Sequence, residues 1–195
     1  MLILGCGDTL HMIHTLTHGL GKTLTLLALV ASQDEEKSGR LTVIVVQKNM
    51  LSTWEEEVSE RLSCGAAKPK FELFIEHDNK KAPRDGRKYR KNSIILTTYE
   101  TYAHRDDLQQ FLAKERNKPH RVILDEAHKL GNRTTSISKT IGNLNATCKW
   151  AVSGTPMRNK VEEIFGILRF LRLKPLDDYD WFHRLLGRTI TARTQ

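Results

Sequence analysis

The segment Thr17-His18-Gly19-Leu20-Gly21-Lys22-Thr23 runs straight into the apolar stretch 24–31, and this junction restricts the fold more than any other part of the chain. A glycine-bearing turn that opens a helix presents backbone N–H groups and a lysine to polyphosphate. About a hundred residues later, Ile123-Leu124-Asp125-Glu126-Ala127-His128 places two carboxylates at the end of an apolar strand. Together the two segments point to a nucleoside triphosphate and magnesium.

Hydrophobic runs and helical periods alternate after the glycine turn, which is the pattern of a mostly parallel sheet flanked by helices, an α/β class. Leu24, Leu26, Leu27, Leu29 and Val30 continue a helix from the turn, and residues 34–39 break it. Residues 41–46 form a β-branched buried strand, and 71–75 and 93–98 read as two more. Ser52-Thr53-Trp54-Glu55 resembles a capping box, with Trp54, Val58 and Leu62 at helical spacing behind it. Asp106 is expected to cap a helix carrying Leu108, Phe111 and Leu112, before the strand 121–124.

A short helix near 136–144 precedes a strand at 148–152, closed by Ser153-Gly154-Thr155-Pro156. Asn159 and Glu162 form a second capping pattern for a helix with Val161, Ile164, Phe165, Leu168 and Leu171 on one face, stopped by Pro175. Residues 177–188 read as a last helix with Trp181, Leu185 and Leu186 turned inward.

Each residue type suits the chemistry. Gly19 and Gly21 let backbone approach phosphate oxygens without a Cβ in the way, and Lys22 supplies a point charge for the β- and γ-phosphates. Thr23 offers a hydroxyl to Mg²⁺. From the strand end, Asp125 can hold Mg²⁺ through water while Glu126 orients or deprotonates the attacking water. The plainer alternatives are a glycine turn before a helix and a carboxylate helix cap; the co-occurrence of Gly-Lys-Thr and Asp-Glu-Ala-His favours the phosphate and metal reading over them.

Composition sets outer bounds. With 195 residues, 39% of them hydrophobic and 28% charged, the chain suits one well-buried core. The apolar run 24–31 is far shorter than the roughly 20 residues of a membrane span, and no basic secretory start precedes it, so a soluble intracellular protein is expected. Cys6, Cys64 and Cys148 are scattered and suit reduced thiols, not a disulfide framework or zinc ribbon. His11, His14 and His18 lack a nearby fourth ligand for zinc. The formal charge of +8 suits a polyanionic partner or a solvated basic surface.

With these residues in place the chain resembles the first RecA-like lobe of the Swi/Snf (Snf-two) family of helicase-like, double-stranded-DNA-dependent ATPases. Leu20-Gly21-Lys22-Thr23 resembles motif I, residues 43–58 motif Ia, 96–99 motif Ib, 125–128 motif II and 153–159 motif III. Val152-Ser153-Gly154-Thr155-Pro156-Met157-Arg158-Asn159 resembles the Swi/Snf form of motif III, not the Ser-Ala-Thr of RNA helicases. Leu168-Arg169-Phe170-Leu171-Arg172 and Asp177-Asp178-Tyr179 resemble the Rad-five, Rad-sixteen and helicase-like transcription factor branch. The departures are Leu16-Thr17-His18 for the usual Asp-Glu-Met, Gln47 for Pro, and Arg158 for Gln. Residues 1–16 stand apart as a divergent segment, with the ATP-binding lobe over 17–195.

The resemblance implies a P-loop NTPase lobe that binds ATP and Mg²⁺ in the nucleus, with double-stranded DNA or chromatin as partner. It implies that Gly19, Leu20, Gly21, Lys22 and Thr23 hold nucleotide, Thr23 and Asp125 hold Mg²⁺, and Lys22, Asp125 and Glu126 serve catalysis. His128, Ser153, Gly154 and Thr155 then couple nucleotide to DNA and to a second lobe, and Thr98 and Tyr99 contact DNA. The chain reaches Gln195 before any second RecA-like lobe, so the lobe alone is expected to hydrolyse ATP feebly or not at all. The basic run Lys80, Lys81, Arg84, Arg87, Lys88, Arg90 and Lys91 reads as a solvated loop, with phosphate contact or a nuclear address as alternatives. Trp54, Trp150 and Trp181 are expected to pack in the core. The competing function is a non-catalytic, degenerate nucleotide- or DNA-binding module.

Overall fold

A computed structural model describes residues 2–6, 9–15, 21–31, 41–63, 71–77, 92–154 and 161–191, with 2–6, 9–15, 63, 161 and 186–191 as backbone only. Glycine-turn residues Gly19 and Leu20, the basic run 80–91, Thr155 and the expected cap Asn159 lie outside the described residues, as do the side chains of the three N-terminal histidines.

Seven strands form one sheet in the order β1-β2-β7-β6-β3-β5-β4. The strands are β1 (Leu2–Cys6), β2 (Thr9–Thr15), β3 (Thr42–Val46), β4 (Glu72–Glu76), β5 (Ser93–Thr98), β6 (Arg121–Leu124) and β7 (Cys148–Ser153). Among the described residues β1 runs antiparallel to β2, and the other neighbouring strands are parallel. The helices are α1 (Lys22–Ala31), α2 (Leu51–Ser63), α3 (Tyr99–His104), α4 (Asp106–Ala113), α5 (Ser136–Asn143), α6 (Phe165–Leu171) and α7 (Tyr179–Thr191).

The central strands are buried on both faces, so they read as continuous apolar runs, and their alternation sorts side chains into two cores. Ile44, Val46, Ile94, Leu96, Ile123 and Val152 meet Leu26, Leu27 and Val30 of α1 and Trp54, Val58 and Leu62 of α2. Val43, Val45, Ile95, Val122 and Leu124 face the opposite way, onto Tyr102, Leu108, Ile141 and Phe170. A smaller cluster of Phe165, Leu168 and Phe182 joins α6 to α7. The α/β expectation holds, and because the strands are parallel their carboxyl ends gather along one edge, where ligands bind in such sheets.

Several local expectations are corrected. A 3₁₀ turn, Lys48–Met50, leads directly into α2, so Ser52 lies within the helix and forms no capping box. Asp106 is the first residue of α4, with Arg105 at the cap position. The Arg105 guanidinium is bound instead by Asp107 at 2.7 Å. Helix α6 ends at Arg172 in left-handed conformation (φ 54°), ahead of Pro175. On α7 the inward aromatic is Phe182, whereas Trp181 and Leu185 are 50% and 46% exposed. The Asp178 carboxylate starts α7 by accepting from the N–H groups of Asp180 and Trp181.

Lys149 on β7 is buried, and its ammonium donates to the Phe170 carbonyl at 2.8 Å. Burial, aided by the Arg172 charge, lowers its pKa to about 7. An unfolded lysine keeps its proton to about pH 10.4, so between pH 7 and 10 the unfolded chain binds more protons and stability rises with pH. The slope from this one group is at most about 1.4 kcal/mol per pH unit. Urea unfolding from pH 7 to 9.5 should show that rise in the wild type and a flatter profile in Lys149→Met; parallel profiles would contradict it.

Candidate functional site

The site is assembled at the carboxyl edge of the sheet. Strand β6 is wholly buried, and the Asp125 N–H continues its ladder by donating to the Val45 carbonyl at 2.9 Å. Glu126 then takes the left-handed conformation (φ 51°, ψ 50°), which turns the chain out of the sheet into the 3₁₀ segment Ala127–Gly131. Asp125 is thereby left at the strand end with Glu126 and His128 beside it. Left-handed backbone is uncommon for a residue with a Cβ and concentrates at functional turns.

Lys22 is the first residue of α1, directly after Gly21, whose φ of 70° favours glycine although open space surrounds the missing Cβ. The Gly21 carbonyl accepts from the N–H and the hydroxyl of Thr25 at 2.9 and 3.1 Å, closing the first turn. Lys22 Nζ lies 3.2 Å from Glu126 Oε1, with side-chain exposures of 12% and 14%. The other Glu126 oxygen lies 3.1 Å from His128 Nδ1, and that nitrogen lies 3.0 Å from Ser153 Oγ. A continuous polar chain therefore links Lys22, Glu126, His128 and Ser153, carried by α1, the end of β6, the following turn and the end of β7.

Asp125 is held by separate partners. Its Oδ2 accepts from the Trp54 indole N–H at 2.8 Å, and its Oδ1 accepts from the Glu126 backbone N–H at 3.0 Å. Its carbonyl accepts from the Tyr99 hydroxyl at 2.8 Å. Burial raises the Asp125 pKa, a shift opposed by the Trp54 hydrogen bond and reinforced by the Glu126 charge. Burial, with the Asp125 and Glu126 charges behind it, raises the Tyr99 pKa well above its ordinary value and keeps that hydroxyl a donor.

This donor set suits magnesium. Mg²⁺ prefers oxygen, retains several waters and needs only one or two carboxylates beside substrate phosphates. Asp125 uses about two of its four lone-pair positions on Trp54 and Glu126, which leaves room for a metal-bound water. The Thr23 hydroxyl sits half-buried in the first turn of α1. No group of three or more His, Cys, Asp or Glu suited to a metal occurs among the described residues.

The side chains of Thr98 and Tyr99, the expected DNA contacts, are buried, at 1% and 0% exposure, and are engaged within the fold. Thr98 Oγ1 caps α3 by accepting from the Thr101 N–H at 3.1 Å, and Tyr99 points at Asp125. Thr98→Val should therefore lower unfolding stability by about 1 kcal/mol, as loss of an N-cap does, and leave duplex affinity unchanged. Urea titration and filter binding read the two effects; the reverse outcome restores a surface role. Among residues assigned no site role by pattern, Trp54 stands out, because its spacing with Val58 and Leu62 predicts burial but is silent about an indole N–H aimed at Asp125.

Residues 12–195 match the model of the SNF2-related domain. The chain belongs to that family. SNF2-related relatives include an uncharacterised ATP-dependent helicase of Schizosaccharomyces pombe, 32% identical over 183 residues, 85% of this chain and 17% of that protein. Helicase-like transcription factor of Mus musculus is 28% identical, covering 89% of this chain and 17% of its own length. DNA repair protein RAD5 of Yarrowia lipolytica is 31% identical, with 86% and 17% covered. The chain thus spans about a sixth of these relatives. The Sulfolobus solfataricus SWI2/SNF2 ATPase core in complex with double-stranded DNA superposes with a TM-score of 0.65 at 27% identity, covering 91% of this chain and 34% of that one. The SNF2-related chain is an ATPase lobe of that fold, in agreement with its motif III, and its similarity to helicase-like transcription factor and RAD5 agrees with residues 168–172 and 177–179.

Proposed function

We propose that this chain is the ATP-binding lobe of a double-stranded-DNA-dependent translocase acting in chromatin remodelling or DNA repair in the nucleus. The observation that carries the reading is the meeting of Lys22 with Glu126 at 3.2 Å, on the sheet edge where Asp125 also ends its strand. Lys22 leaves Glu126 for the β- and γ-phosphates when nucleotide enters, and Glu126 stays oriented by His128. Asp125 and Thr23 serve the magnesium ion, which supplies charge neutralisation on those phosphates. Glu126, released from the lysine, orients the attacking water and accepts its proton. Gly19 and Leu20 belong to the proposed nucleotide-holding set, and Gly154 and Thr155 join His128 and Ser153 in the proposed set that couples nucleotide to DNA and to a second lobe.

The protein grips duplex through phosphates, since a translocase must pass any sequence. Arginines from a second RecA-like lobe complete hydrolysis; such a residue across an interface is worth about 10³ to 10⁵ in rate. Calorimetric titration with ATP, with and without Mg²⁺, paired with duplex binding across a salt series, tests the reading. Magnesium-dependent ATP binding supports it. Steep salt-dependent duplex binding with no nucleotide affinity replaces it with the non-catalytic module.

A further inference from the structure

We propose that Trp54 is a positioning residue of the nucleotide site: its indole N–H fixes the Asp125 carboxylate in the orientation that serves magnesium and ties that orientation to helix α2. The inference rests on the reading that Asp125 holds magnesium through a bound water. Trp54 is fully buried, and its N–H reaches Oδ2 at 2.8 Å across a separation of 71 residues in the chain. With Oδ1 bound by the Glu126 N–H, the carbonyl bound by Tyr99 and the N–H bound to the Val45 carbonyl, Asp125 is held at four points and one carboxylate rotation satisfies both oxygens.

An indole offers a donor only, so a buried one generally seeks an acceptor. Burial in this fold does not by itself dictate such a bond, because Trp150 Nε1 is also buried and has no hydrogen-bond partner among the described residues. The Trp54 contact is thus particular to its place. Val58 and Leu62, on the same face of α2, seat the helix against Ile44, Val46, Ile94 and Leu96. A shift of α2 therefore moves the indole, and the carboxylate with it. Outer partners of metal ligands orient them in this way, and their loss typically weakens metal affinity about 10- to 100-fold.

The test uses the 195-residue chain, Mg²⁺ and a fluorescent ADP. Trp54→Phe keeps an aromatic ring and removes the N–H. The Mg²⁺ concentration for half-maximal metal-dependent nucleotide binding should rise about 10- to 100-fold. Metal-free nucleotide affinity should be unchanged. A second readout needs no Trp54 variant: in an indole N–H spectrum, assigned through Trp150→Phe and Trp181→Phe, the Trp54 signal should move in Asp125→Asn and on adding Mg²⁺ with ADP. The Trp150 and Trp181 signals should stay. Equal losses with and without metal, or a Trp54 signal indifferent to Asp125→Asn, overturn the positioning role and leave a packing residue. Absence of magnesium-dependent binding in the wild type itself overturns the nucleotide-site reading, and this inference with it.

Discussion

Lys22→Ala should weaken binding of magnesium-ATP by roughly 10- to 100-fold while leaving the fold standing. A hydrogen bond to a charged group contributes about 1.5–3 kcal/mol, and each 1.4 kcal/mol is tenfold in affinity. The structural cost is smaller. Lys22 and Glu126 retain 12% and 14% exposure at the open sheet edge, and Glu126 keeps His128 within 3.1 Å after the lysine is removed. The expected loss of stability is on the order of 1 kcal/mol, near the upper end for ion pairs that keep contact with solvent. Calorimetry and thermal unfolding on the same two proteins separate the effects. Equal ATP affinity would remove Lys22 from the phosphate site, whereas a collapse in melting temperature would recast the Lys22–Glu126 pair as structural.

The parts of this fold that are legible in sequence are those where one physical pattern acts alone. Residues 42–46, 93–98 and 121–124 are buried on both faces, so an apolar centre at 43–46, 94–96 and 122–124 marks each strand although its ends carry polar residues. Helix α1 is announced by the glycine turn before it, and Asp125 and Glu126 by the strand they end. The meeting of Lys22 and Glu126 needs nothing beyond parallel strands with their carboxyl ends on one edge.

Where two tendencies compete, the sequence is ambiguous. Tyr99–His104 is a six-residue helix in which Tyr99, Thr101 and Tyr102 are β-prone, and what makes it helical is the local Thr98 cap together with the burial of Tyr99 and Tyr102. In α7 the helical period is right and its phase is not, because Trp181 and Phe182 are adjacent aromatics about 100° apart and only packing against Phe165 selects Phe182. The pairing of β1 with β2 carries a short-range sign that is easily passed over: Gly7-Asp8 separates Cys6 from Thr9, which are register partners. Periodicity also cannot show where a polar atom on an apolar ring is aimed, which is why Trp54 reads only as core and Tyr99 only as an expected DNA contact, while their N–H and O–H groups hold Asp125.

Gly166→Ala should be the most damaging single-methyl change in the described chain. Gly166 lies in α6, where alanine is ordinarily better than glycine by about 1 kcal/mol. Here a Cβ would stand 2.1 Å from the Leu130 carbonyl oxygen and 2.8 Å from its carbon, both backbone atoms that no rotamer change can move. That oxygen also accepts from Ser138 Oγ at 3.1 Å, so α6 cannot retreat without disturbing α5 and the turn that carries His128. Overpacking against a well-packed core costs about 1–3 kcal/mol and more when backbone must move, which outweighs the helical gain. A net loss of about 3 kcal/mol lowers the melting temperature by roughly 6–12 °C for a chain of this size. Gly142→Ala is the matched control: its Cβ would meet only the Arg169 side chain, at 3.5 Å, and should be neutral or mildly stabilising. Similar melting temperatures for the two variants would mean that α6 does not sit against the Leu130 backbone.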